Sequence, residues 1–372
     1  MLWPEVAQMK IISGHSEPAG WVYNSAAFEV KKESRLREVS MESNLISRRG
    51  ALAMGGSLAL AAGTGLKALR AAEPGRLIDV HHHYFPPAWM AKFKKEIAES
   101  NGARFASWTV QTALEEMDKS GCATAIVTCG GPGTWNGDVE LSRSVSRDVN
   151  EFGARMVEDH PGRFGFFASV PTPDTEGSLK EIEYSLNTLK ADGILLWSNY
   201  DGRFLGDPGF APVLQELNRR KAVVYVHPKI TSDLNDVNDP LRALGSNWEN
   251  TTRTISSLVS SGMLMRLPDV KFIFSHGGGL LPTVAVRLAG NSPEKLAALR
   301  GLYMDTAQTT TNPGAWGALT AFAEPSHVLF GSDFPYVGDG LKLGLTRVKL
   351  SPSDAAAIAR GYAEKLIPRL GA

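Results

Sequence analysis

From residue 77 onward the chain alternates two apolar patterns. Short runs rich in β-branched and aromatic residues fall at 77–80, 123–129, 164–170, 193–198, 222–226, 271–275, 302–306 and 327–331. Runs of this length, bounded by turn-forming residues, predict buried strands. Longer segments separate them, at 109–120, 139–159, 176–190, 210–221, 251–267, 280–288 and 315–323, with a last one near 353–366. Their apolar residues recur at intervals of three and four, the spacing of one helix face. Several end in punctuating residues: Ser120-Gly121, His160-Pro161-Gly162, Asp192-Gly193 and Leu267-Pro268. Eight strands alternating with helices predict an α/β fold of one domain, a (β/α)8 TIM barrel. A doubly wound sheet is the competing arrangement, but no Gly-x-Gly-x-x-Gly follows the first strand.

The first 76 residues differ in kind. Residues 1–40 show no clear periodicity and read as a non-native or disordered extension. Ser47-Arg48-Arg49-Gly50 then precedes a Gly/Ala-rich apolar run at 51–66, closed by Lys67, Arg70 and Ala71-Ala72-Glu73-Pro74. A charged start, a modest apolar middle and small residues at the end make a cleavable signal peptide, and the paired arginines make it the twin-arginine type. The expected organisation is therefore an extension at 1–40, a signal peptide at 41–72 beginning at Met41, and a barrel at 73–372. This predicts export by the twin-arginine machinery and a periplasmic or secreted address, or a cytoplasmic one if 41–72 is instead an ordinary amphipathic helix. The cleavage site is imperfect, with Leu69 three places before a cut after Ala71. The apolar run falls short of the ~20 residues a membrane span needs, so no stable insertion is expected.

Composition narrows the picture. Among 372 residues, 43% are hydrophobic and 21% charged, as in a water-soluble globular protein. The net charge of zero gives no sign of a nucleic-acid partner. Cys122 and Cys129 are the two cysteines. At opposite ends of one strand they would stand about 23 Å apart, against the 7 Å or so that a disulfide allows, so both are expected to stay reduced.

The chemistry lies where the strands end. The first strand runs into His81-His82-His83. Alternation along a strand would turn Asp79, His81 and His83 to one side and His82 to the other. The fifth ends in His227-Pro228, the sixth in His276-Gly277-Gly278-Gly279 and the eighth in Asp333-Phe334-Pro335. Barrel enzymes carry their chemistry on that rim, and imidazole with carboxylate is a set that divalent metals accept. Each histidine alone could be a satisfied core residue; jointly they predict a metal site. His15, His160 and His327 lie in loops, at the opposite end or in the N-terminal extension, and read as structural.

The motifs Ile-Asp-Val-His-His-His-Tyr-Phe-Pro, Val-His-Pro, Ser-His-Gly-Gly-Gly-Leu-Leu-Pro and Gly-Ser-Asp-Phe-Pro, spread over residues 78–335, resemble those of the amidohydrolase superfamily. The nearest branch holds aminocarboxymuconate-semialdehyde decarboxylase and related aromatic-acid decarboxylases. Residues 162–168 and 189–193 are similar to 6-methylsalicylate-decarboxylase-like members. The resemblance implies that His81, His83 and His227 bind the metal, with Asp333 as fourth ligand or beside its water. It implies that His276 is a general acid/base or polarises a carbonyl. No lysine ends the fourth strand, Ile-Leu-Leu-Trp-Ser, so one divalent metal is expected, Zn²⁺ first and Mn²⁺ as the alternative. The implied activity is non-oxidative decarboxylation of a small aromatic or unsaturated carboxylic acid. The alternative uses the same residues to hydrolyse a lactone, ester or amide, and a non-catalytic metal-binding protein is a third reading. Lys229, Trp197 and Arg104 are the candidate substrate residues, with Tyr200 as a second stacking surface and Arg253 and Arg287 as further cations. A homodimer is implied by the resemblance alone.

Overall fold

In the computed structural model, residues 77–99, 107–229, 246–338 and 340–371 are described. The extension at 1–40, the twin-arginine segment at 41–72 and Arg104 lie outside the described residues. Eight barrel strands follow one another: β1 (Leu77–Tyr84), β2 (Cys122–Cys129), β3 (Phe164–Ser169), β4 (Gly193–Trp197), β5 (Val223–His227), β6 (Lys271–Phe274), β7 (Tyr303–Asp305) and β8 (Val328–Leu329). Each pairs in parallel with the next in sequence, forming one sheet. The last strand returns to the first. Val80 N donates to Phe330 O at 3.0 Å, Asp333 N to His81 O at 2.9 Å and His83 N to Phe334 O at 2.8 Å. The result is a nearly closed parallel barrel with helices around it, on the predicted plan.

The strands fall close to their expected positions, with one exception. β1 continues four residues beyond the predicted end and carries the three histidines within it, because its pairing with β2 persists to Tyr84 opposite Cys129. Simple alternation also fails there. Asp79 faces Ala125 and His82 faces Val127, so β1 spends one residue more than β2 between these pairs. Such a bulge re-aims side chains. Asp79 therefore leaves the side of His81 and His83 and meets His82, whose Nδ1 lies 3.0 Å from Asp79 Oδ2.

Local signals set the helix ends. Thr109 caps Val110–Ser120 in a reciprocal capping box, and Gly121 at φ 70° closes it in the left-handed conformation. The predicted helix at 251–267 is two helices, Ser246–Ser260 and Met263–Arg266, parted by Gly262 at φ 69°. A π turn, Ala357–Gly361, interrupts the last one. Pro87–Lys92, Lys94–Glu99 and Pro293–Arg300 are helices the apolar pattern did not signal.

Large apolar side chains are buried on both faces of the strands: the Phe167 and Tyr225 rings stack at 5.4 Å inside the barrel, and Phe166 lies outside it against Gly153 of the helix Val139–Asp159. At the N-terminal rim, Arg369 pairs with the buried Asp192, which also accepts Phe166 N at 2.9 Å. Arg163 there reaches Asp118 and Ala123 O. Cys122 and Cys129 are buried and free, as their placement predicts. Among the described residues, no helix is long and apolar enough to cross a membrane.

Candidate active site

At the C-terminal rim the strand ends bring His81, His83, His227, His276 and Asp333 together. All five are buried, His227 being the most exposed at 8%. His81 Nε2 stands 3.2 Å from His83 Nε2 and 3.2 Å from Asp333 Oδ1. His83 Nε2 is 3.3 Å from the same oxygen, and His276 Nε2 is 3.2 Å from Asp333 Oδ2. The His227 ring lies 5.1 Å from that of His81 and 4.9 Å from that of His83. Donor atoms of His81, His227, His276 and Asp333 all lie within 4.8 Å of one another, so these three histidines and one aspartate could bind a metal.

Outer contacts fix three of the rings. His227 Nδ1 lies 3.0 Å from Pro228 O, and a carbonyl can only accept. Thr128 Oγ1 donates to His82 O at 3.3 Å and stands 3.0 Å from His83 Nδ1, so it accepts there. His81 Nδ1 lies 2.9 Å from the carboxylate oxygen Asp305 Oδ2. Each Nδ1 is thereby taken up by an outer partner, which leaves Nε2 as the nitrogen that can offer a lone pair to a metal. His227 Nε2 is buried with no hydrogen-bond partner, an orphaned acceptor that a cation would satisfy.

The electrostatics divide the three rings. Burial alone would lower the His81 pKa, but the charges of Asp305 and Asp333 outweigh it and raise it from 6.5 to about 10. Burial takes His83 down to about 4, and burial with three neighbouring imidazoles holds His227 well below the usual range. Burial favours a protonated Asp333, yet His81, His276 and His83 hold its carboxyl well below the usual carboxylate range. Neutral imidazoles at His83 and His227 beside an ionised carboxylate suit a divalent cation, while the two carboxylates around His81 hold on it a proton that a metal would have to displace.

The backbone is bent to make this arrangement. His276, Gln308 and Asp333 are non-glycine residues at φ 54°, 58° and 61°, a costly conformation that concentrates at functional sites. Gly331 permits the close approach of the last strand end: a Cβ there would stand 2.8 Å from His81 Cβ and 2.9 Å from Asp305 Cβ.

The substrate candidates divide. Trp197 is 5% exposed, with its ring 5.2 Å from that of His227. It lies against Gly133, where a Cβ would meet its Nε1 at 2.3 Å. Lys229 is half-buried on the loop after β5, its backbone N donating to Ser198 Oγ at 2.9 Å. Burial lowers its pKa against the pull of Asp201. Tyr200 is not a stacking surface: its hydroxyl accepts Trp197 N at 3.0 Å, and its ring turns inward to Phe210. Arg253 pairs with Glu249 on an exposed helix face, and Arg287 is exposed on Leu281–Ala289. His82 bonds to Asp79 and stacks on Phe334, away from the cluster.

Sequence reasoning missed four contributors. Asp305 ends β7 and braces His81; Tyr225 donates to Asp305 at 2.8 Å; Gln308 Nε2 donates to Asp333 Oδ2 at 2.7 Å; Tyr336 meets the His83 ring edge-on at 4.9 Å. Asp305 was within reach of the rule that found the histidines, since it too closes a strand on this rim.

Comparison with known proteins places this site in a family. Decarboxylase macB of Penicillium terrestre is 39% identical over 322 residues, 78% of this chain and 95% of its own. The 6-methylsalicylic acid decarboxylase of Penicillium expansum is 37% identical over 314 residues, 79% of this chain and 96% of its own. A crystal structure of dihydroxybenzoic acid decarboxylase from Polaromonas sp. JS666, with bound manganese and 2-nitroresorcinol, superposes with a TM-score of 0.70 at 19% identity. That match covers 78% of this chain and 96% of the other. The amidohydrolase family profile matches residues 78–369, from the first strand through every residue of the cluster. By that match, and by relatives of 37–39% identity over nearly their whole length, the chain belongs to the amidohydrolase family.

Proposed function

We propose that this chain is a metal-dependent decarboxylase that removes CO₂, without oxidation, from a small hydroxylated aromatic acid. The observation that carries the reading is the cluster itself: three Nε2 lone pairs and an aspartate converge at one barrel mouth, with a fourth histidine bonded to that aspartate. Relatives named as decarboxylases, 37–39% identical, support the choice of chemistry.

His81, His83, His227 and Asp333 are the proposed ligands. Proximity alone would put His276 in place of His83. We favour His83 because Thr128 leaves its Nε2 without a proton, while His276 Nε2 faces Asp333 Oδ2 as a donor. The ion, when bound, neutralises the substrate carboxylate and phenolic oxygen and holds them in place. Three imidazoles and a carboxylate suit Zn²⁺; the manganese in the Polaromonas structure makes Mn²⁺ the rival.

The rest falls to the chain. Trp197 and Tyr336, beside His227 and His83, flank the substrate ring. Lys229 and Arg104 are the proposed cations for the acid group. The Asp333–His276 pair delivers a proton to the ring carbon that bears the carboxylate, and the electron pair of the breaking C–C bond restores the aromatic ring as CO₂ leaves. Gln308 and His276 together aim the Asp333 oxygen that moves the proton. Burial of all five cluster residues keeps bulk water from the reacting carbon.

The test is a product assay on the full, metal-replete chain with 6-methylsalicylate, 2,3- and 2,6-dihydroxybenzoate, and with aryl lactones and esters in parallel. CO₂ release that Asp333→Asn and His276→Asn each lower about 100-fold or more is expected. Acid from a lactone with no CO₂ would overturn the reading in favour of a hydrolase. The same proposal exports the chain through the twin-arginine machinery and pairs it as a homodimer. Cell fractionation of the Arg48→Lys, Arg49→Lys variant and light scattering check these two parts.

A further inference from the structure

Asp305 closes β7, and nothing in the proposed chemistry calls on it. Its carboxylate is fully buried, and four donors surround it. Oδ1 accepts the backbone N–H of His276 at 2.9 Å and of Ala307 at 3.0 Å. Oδ2 accepts the Tyr225 hydroxyl at 2.8 Å and faces His81 Nδ1 at 2.9 Å. The two amides are donors that cannot change. The imidazole can, because its proton can sit on either nitrogen.

We propose that Asp305 is the positioning residue of this site: one carboxylate selects the His81 tautomer that can bind a metal and, through the His276 amide, ties the backbone of the proton-transferring histidine to the same anchor. The inference rests on the metal-site reading above. A carboxylate oxygen only accepts, so it keeps the His81 proton on Nδ1. That leaves Nε2, the atom that faces His83 Nε2 and Asp333 Oδ1, as the nitrogen able to give its lone pair to an ion.

Substitution by asparagine gives a specific expectation. The amide oxygen of Asp305→Asn must turn to the two fixed backbone donors, which puts its NH₂ against Tyr225 and His81. The Tyr225 hydroxyl can rotate and accept. His81 can also accept, but only by moving its proton to Nε2, and Nε2 then has no lone pair for a metal. Only the Tyr225 hydroxyl proton loses its acceptor, so the variant is expected to fold with the site set in the wrong tautomer. A carboxylate-to-amide change beside a histidine acts in this way in the serine proteases.

The experiment uses the full chain and Zn²⁺ as the probe. Competition against a chelating dye is expected to show that Asp305→Asn binds Zn²⁺ 10- to 100-fold more weakly, the range for loss of a partner behind a metal ligand. Tyr225→Phe leaves the carboxylate and the tautomer in place, and its affinity is expected to change only a few-fold. Imidazole ¹⁵N resonances of the metal-free, unsubstituted protein are expected to show His81 Nδ1 protonated; a merely structural Asp305 would impose no such preference. If the unsubstituted chain takes up neither Zn²⁺ nor Mn²⁺, the metal reading falls and the inference with it. If that chain binds Zn²⁺ and Asp305→Asn binds it equally well, the inference alone is overturned. If Asp305→Asn does not fold, the resonances decide: a protonated Nδ1 upholds the proposal, and a proton on Nε2 alone overturns it.

Discussion

The two rims of the barrel are built on opposite terms. At the N-terminal rim charge is met by charge: Asp192 has Arg369 and the Phe166 amide, and Arg163 has Asp118 and a backbone carbonyl. At the C-terminal rim five titratable side chains are buried together. His227 Nε2 and His276 Nδ1 are buried there with no hydrogen-bond partner. One rim is satisfied and the other is left wanting, and the difference locates function more sharply than burial does. A barrel can carry such a mouth because its core and its closed end supply the stability.

This contrast can be broken from either side. The largest effect is expected at the mouth: Asp333→Asn lowers the rate of CO₂ release about 1,000-fold and His276→Asn about 100-fold, within the range for lost proton transfer. Scanning calorimetry should place both variants within a few degrees of the parent, because the closed rim is untouched. Next comes metal removal. Chelation is expected to end CO₂ release and to lower the melting temperature by about 5 °C, as for loss of a ligand held at 100 times its Kd. Added Zn²⁺ or Mn²⁺ should restore both, and the better of the two identifies the working ion.

The reverse pattern is expected at the closed rim. Arg369→Ala leaves Asp192 buried without its charge partner and costs about 2 kcal/mol in urea unfolding, while kcat is unchanged. The smallest effect lies on the outer surface. Glu216, between Arg219 and Arg220, is held down from 4.5 to about 2, chiefly by its hydrogen bonds to them against the effect of burial. A depressed carboxyl contributes stability above its unfolded value and loses it as pH falls from about 4.5 to about 2. Glu216→Gln should flatten the stability profile in that window by removing the contribution at neutral pH, a loss that solvent screening of a surface pair keeps below about 1 kcal/mol.

Much of this was legible in the chain. The order of strands and helices follows from apolar spacing, and the histidines announce the rim because each sits directly after a buried run. Asp305 escaped notice because Tyr-Met-Asp resembles any strand end; its meaning comes from Tyr225, 80 positions away. Gln308 and Tyr336 are likewise distant in sequence from what they touch. The turn of Asp79 toward His82 depends on a bulge against β2, which no local spacing records. Pro293–Arg300 went unseen because only Leu299 of its residues is buried, so it presents no apolar stripe.

The seam of the barrel has a consequence for how the protein is made. His81 O and His83 N hold the returning chain at Asp333 and Phe334, so the residues that shut the ring are also residues of the cluster. A chain growing from its N-terminus has all four cluster histidines before it has a site. Asp333 arrives only with the segment that completes the circle. An ion bound across that junction works as a seal on finished goods: a chain stopped short of residue 333 offers it loose imidazoles, and only one wound all the way round can keep it.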